Sequence, residues 1–154
     1  MKDGLKTIWV DADATPRSIR DVLCRASVKR GVSVHFVANR PLAMPRGHAL
    51  QMTTVGSGAD VADDFIADQC SASDLVITAD VPLAARVISK GGTVLRPRGK
   101  EITEENVDEA LSLRNFSESL RSGGVQTGGP PPLTTGDVHA FSNALDRWLT
   151  RNGF

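Results

Sequence analysis

The run Leu75-Val76-Ile77 has no polar residue at alternate positions, so a strand built from it must be buried on both faces. Such a strand belongs inside a sheet that helices cover on either side. Segments with helical spacing flank it: 59–71, with Val61, Phe65 and Ile66 inward, and 82–89, stopped by Gly91-Gly92. Four further strands read at 7–11, 32–38, 50–55 and 93–95, with 75–77 lying inside a strand 74–78. A helix over 16–30 puts Ile19, Val22, Leu23, Ala26 and Val28 on its inner side and ends at Gly31. Strand and helix alternating in this way predict an α/β fold, in three layers: a mainly parallel five-stranded sheet flanked by helices, with a C-terminal helical extension.

That extension begins at Thr103, which caps Glu104 and Glu105. It continues through a Gly/Pro-rich connector at 123–132 into an amphipathic helix over 135–150. There the stripe Val138, Phe141, Leu145, Trp148 and Leu149 predicts packing against the sheet or against a second copy in a homodimer. All 154 residues read as a single domain, 1–100 as α/β core and 101–154 as extension. No apolar run approaches the ~20 residues of a membrane span, and the first residues lack a secretory leader. Cys24 and Cys70, without metal-site spacing, read as buried reduced thiols of a cytoplasmic protein.

Residues 1–100 hold fourteen Lys or Arg and ten acids, all of them Asp; Glu first occurs at 101. Asp prefers caps and strand ends, and it is a short, stiff ligand for hard cations. Three acidic stretches stand at the places where an α/β sheet binds ligands. Asp11 and Asp13 follow the first strand, where Thr15 and Pro16 read as a helix start. Asp60, Asp63 and Asp64 lie in the first turns of a helix, with Asp60 and Asp63 sharing a face. Asp80 follows the fourth strand. If strands one and four are neighbours, these acids meet in one crevice and raise each other's pKa. Mg²⁺ or Mn²⁺ would relieve that repulsion, and such ions serve phosphodiester hydrolysis. On this reading Asp11, Asp63, Asp64 and Asp80 are catalytic metal ligands, and Asp13 and Asp60 are supporting acids.

Ala62-Asp63-Asp64 followed by Thr78-Ala79-Asp80-Val81-Pro82-Leu83-Ala84 resembles the acidic core of PIN and 5′-nuclease domains. More closely, 7–150 resembles the YaiI/YqxD family of uncharacterised bacterial proteins. The likeness is carried by Val10-Asp11-Ala12-Asp13-Ala14, Val37-Ala38-Asn39, the two acidic motifs, Arg96-Pro97-Arg98-Gly99 and Gly128-Gly129-Pro130. The resemblance implies a PIN-like fold. Through PIN ribonucleases it implies a metal-dependent nuclease with nucleic acid as substrate, RNA more than DNA. Two positions depart from the 5′-nuclease pattern: Val61 stands where a Glu is usual, and Pro82 where a second Asp is usual.

Arg17, Arg86, Arg96 and Arg98 are the candidates to meet substrate phosphate. Aromatic residues are few and read mostly as core, so no stacking platform for bases is evident. His35 reads as a core or edge residue, and His48 and His139 lack zinc spacing. Two other readings fit the opening motif. One is a PIN-like module that binds nucleic acid or protein without cutting. The other is a haloacid-dehalogenase-type phosphatase with Asp11 as nucleophile, which needs a lysine such as Lys90 near it.

Overall fold

The structure is a computed structural model that describes residues 6–45, 47, 49–58, 60–124 and 132–154. His48, the Gly128-Gly129-Pro130 motif and most of the Gly/Pro connector lie outside the described residues. The elements run β1 (Thr7–Asp11), α1 (Arg17–Arg30), β2 (Ser33–Ala38), β3 (Leu50–Thr54), α2 (Val61–Gln69), β4 (Leu75–Ile77) and α3 (Val81–Ser89). Then come β5 (Thr93–Leu95), β6 (Glu101–Ile102), α4 (Val107–Ser122) and α5 (Thr135–Arg151). A 3₁₀ turn, Ala12–Ala14, stands between β1 and α1.

The sheet has the order β3-β2-β1-β4-β5-β6, parallel except for the β5–β6 pair. The three-layer, mainly parallel α/β reading is therefore right, with one correction: there are six strands. The sixth, β6, falls where the sequence reads as the start of the helical extension. It is two residues long between Gly99 and Thr103, too short to show any alternation.

Side chains alternate across the sheet. Ile8, Val10, Val34, Phe36, Leu75, Ile77 and Leu95 face α1 and α5. Trp9, Val37, Val76 and Val94 face α2 and α3. The stripe on α5 thus serves the chain's own core: Phe141, Leu145, Trp148 and Leu149 are all buried there. Arg30 ties the two helices of that layer together, donating to Asp146 at 2.7 Å and to the Phe154 carbonyl at 2.7 Å. Val28 is exposed, because it sits on the outer side of α1, and Val61 and Phe116 are exposed as well. No described helix is long and apolar enough to cross a membrane.

The loop joining β5 to β6 presses onto α5 at Gly99. Its φ is +94°, and an added Cβ would lie 2.6 Å from the Ala140 carbonyl carbon and 2.8 Å from Phe141 N. Backbone cannot yield as a side-chain tip can. Gly99→Ala therefore combines a left-handed backbone that disfavours Cβ with overpacking, and is expected to destabilise by about 2–4 kcal/mol in chemical denaturation.

Candidate functional site

The parallel pairing of β1 with β4 sets Val10 level with Ile77, which brings the next residues, Asp11 and Thr78, together. The Thr78 hydroxyl donates to Asp11 Oδ2 at 3.1 Å. Thr78 Oγ1 also accepts the backbone N–H of Asp80 at 3.0 Å. One buried threonine thereby orients both acids. Asp80 in turn caps α3, its Oδ1 accepting the Leu83 N–H at 2.9 Å, with Pro82 in the first turn. Thr15 was expected to cap the helix after β1. Instead its hydroxyl donates to the Asp11 carbonyl at 2.7 Å, and α1 begins at Arg17, behind Pro16, without a side-chain cap.

Asp63 reaches the same place from α2. Its carboxyl comes within reach of that of Asp80, whose charge acts on it more than that of any other acid. Burial first, then the charges of Asp80, Asp11 and Asp60, push Asp63 from its ordinary 3.8 up to about 6. Asp11 is almost fully buried. Burial raises its pKa, the Thr78 hydrogen bond opposes this, and the charges of Asp80 and Asp13 add to the rise. The expected meeting of strand ends one and four with the α2 acids is therefore present for Asp11, Asp63 and Asp80.

Asp60 and Asp13 stand at the margin. Asp60 is an exposed residue with φ of 68° just before α2, close enough for its charge to act on Asp63. Asp13 is exposed, and its Oδ2 accepts the Asn39 N–H at 2.7 Å, fastening the turn after β1 to the end of β2. Asp64 points away, about 100° round the helix from Asp63, and pairs with Arg86 at 2.7 Å. Arg86 lies near enough to Asp63 to feel its charge. Arg17 is exposed in the first turn of α1, beside Arg20 and the loop residues Leu42 and Met44. Arg96 and Arg98 lie in the β5–β6 loop, where Arg98 pairs with Asp137 of α5 at 2.7 Å.

Among the described residues, no three His, Cys, Asp or Glu side chains are arranged to hold a metal ion. Asp11 Oδ2 accepts from Thr78 Oγ1, Asp80 Oδ1 from the Leu83 amide and Asp13 Oδ2 from the Asn39 amide. In chemistry the donor set does suit a hard divalent cation, being carboxylate oxygen throughout. Sequence reading found Thr78 only as part of a motif. Its bridging role depends on strand register, which no local pattern reveals.

A profile described as the uncharacterised YaiI/YqxD family matches residues 9–151. The chain belongs to the YaiI/YqxD family. It is 49% identical to a UPF0178 protein of Shewanella sp. (strain MR-4), covering 96% of this chain and 99% of that one. It is 52% identical to one from Desulfotalea psychrophila, over 94% of this chain and 97% of the relative. A third, from Geobacter metallireducens, is 50% identical over 94% and 93%. No solved structure matches.

The crowding of acids has a sign that can be measured. The folded protein keeps a proton on Asp63 to a higher pH than the unfolded chain does. The metal-free protein is therefore expected to lose stability as pH rises from about 4 to about 6, and not to regain it above. Asp63→Asn removes that loss. Because Asp63 is partly open to solvent, the gain at pH 7 is of order 1 kcal/mol after allowing for screening, read as a higher Tm in the presence of a chelator.

Proposed function

We propose that this chain is a divalent-metal-dependent hydrolase of nucleic acid that cuts phosphodiester bonds at the crevice of Asp11, Asp63 and Asp80. The supporting observation is that these three carboxyls converge at the carboxyl ends of β1 and β4, where the strand order reverses, with two of them held above their ordinary pKa. Mg²⁺ or Mn²⁺ held by Asp11, Asp63 and Asp80 would supply an activated water and neutralise charge on the phosphate.

The chain's own residues prepare that arrangement. Thr78 fixes Asp11 relative to the backbone of Asp80, so two carboxylates from different strands keep one orientation. Asp63 comes from a separate helix, and with its pKa raised only to about 6 its carboxylate is available to a cation at neutral pH. Asp13 and Asp60 act through charge, or through water, from the rim. RNA is favoured over DNA by the likeness to PIN ribonucleases, and a cytoplasmic location agrees with two buried free cysteines whose thiols burial pushes up.

A non-catalytic binding module is a second reading. It is favoured by the lack, among the described residues, of a group arranged for a metal, together with Val61 and Pro82 in place of acids. The phosphatase reading loses its lysine: Lys90 Nζ donates to the carbonyls of Ala67 at 2.7 Å and Cys70 at 2.6 Å, holding the end of α2.

Millimolar Mg²⁺ or Mn²⁺ is expected to raise the Tm of the wild type, by ~2.7 kcal/mol of stability at an ion concentration of ~100 Kd. Asp11→Asn and Asp80→Asn should abolish that response. With Mn²⁺ present, cutting of single-stranded RNA should fall by ~100-fold in either variant. If the ions leave the Tm unmoved and no RNA is cut, the hydrolase reading is wrong; RNA retained without cutting would establish the binding module instead.

A further inference from the structure

The loop from Arg96 to Lys100, held against α5 at Gly99, closes one side of a cavity of about 710 Å³ on the α1/α5 side of the sheet edge. Arg96, Arg98 and Lys100 contribute its cationic lining, and Pro16, Pro97 and Leu133 its apolar walls. Arg98 is answered at 2.7 Å by Asp137, which also lines the cavity. Arg96 is half-buried in that lining, and its Nε is buried with no hydrogen-bond partner among the described residues.

Two helices also begin here. Pro16 precedes the first residue of α1, a helix that no side chain caps, so its first amides add positive potential. α5 begins behind the Thr134–Asp137 capping box. The volume falls in the range of small-ligand sites, and the mixture of cations with flat apolar walls suits a ligand that is anionic at one end and aromatic at the other. Arg96 and Lys100 also border a recess of about 450 Å³ toward α4, which two acids, Glu101 and Glu109, line, whereas the one acid of the larger cavity, Asp137, is paired with Arg98.

We infer that the 710 Å³ cavity binds a nucleoside monophosphate unit, with the phosphate against Arg96 and Lys100 and the sugar and base against Pro16, Pro97 and Leu133. The same chemistry is offered by the phosphorylated end of a strand and by a free nucleotide. Ala79, between Thr78 and Asp80, forms part of the cavity wall. A strand end seated here would carry its neighbouring phosphodiester toward Asp80. That last step rests on the proposed hydrolysis; the binding itself does not.

The test is calorimetric titration of the full chain, in chelator, with adenosine 5′-monophosphate, adenosine 3′-monophosphate, adenosine and inorganic phosphate. At least one nucleotide should bind ~10-fold or more tighter than adenosine or phosphate alone. Lys100→Gln, at an exposed position, and Arg96→Gln should each weaken it severalfold. Nucleotide binding no tighter than that of phosphate, or indifferent to both substitutions, would overturn the inference. A preference for phosphorylated over unphosphorylated RNA ends, lost in the same variants, assigns the strand end; equal affinity for the two ends with nucleotide binding intact assigns the free nucleotide. Nucleotide binding without any metal-dependent cutting would sink the hydrolase reading and leave the cavity assignment standing; cutting without nucleotide binding would do the reverse.

Discussion

Everything in this molecule hangs on the register between β1 and β4. Ile8, Trp9 and Val10 lie against Leu75, Val76 and Ile77, and all six are buried. Each end of the pair is held by a polar residue. At the amino end, Asp74 accepts the Thr7 N–H at 3.0 Å, Trp9 Nε1 at 3.1 Å and the Ser71 N–H at 2.8 Å. At the carboxyl end, Thr78 donates to Asp11. A slip of one residue would turn Trp9 from the α2/α3 layer into the α1/α5 layer and separate Thr78 from Asp11. The packing that specifies the core is therefore the same packing that aligns the acids.

Those acids oppose folding. Burying carboxyls side by side is unfavourable, and the chain offsets it only in part, with a proton held on Asp63 to higher pH and one hydroxyl bond to Asp11. Nothing in the sheet demands this. Asn at position 63 would keep the helix and lose the repulsion. A local conflict of this kind, at the point where strand order reverses, is where sequences sacrifice stability for a site.

The layers, the helix positions and the meeting of three acids were legible because each is written in local periodicity and in the strand–acid–helix order. What could not be read depends on contacts between distant segments. Asp63 and Asp64 are indistinguishable in the sequence, but the turn of α2 sends one toward Asp80 and the other to Arg86. Asp13 reads as a supporting acid, and nothing local shows that its Oδ2 holds the Asn39 amide, 26 residues away. The two-residue strand β6 has no pattern at all and exists because Val94 and Leu95 present a free edge to Ile102 and Glu101.

The zero net charge looks at first like an argument against a nucleic-acid protein. The fold shows how the balance is distributed. Asp11, Asp63 and Asp80 gather on the α2/α3 side of the sheet edge, whereas Arg96, Arg98 and Lys100 line the cavity on the α1/α5 side. Small residues lie along the boundary between them: Ala79 and Ala14 belong to the cavity wall, and their chain neighbours Asp80 and Asp13 belong to the acidic group. Opposite potentials set side by side along one edge cancel in the total but not locally, since screening confines each to about 10 Å at ordinary ionic strength. A polyanion approaching this edge would be attracted by one half and repelled by the other unless a cation fills the acidic half. Net charge therefore says nothing about whether such a ligand can bind, and the divalent ion becomes the condition on which both halves can face the same strand.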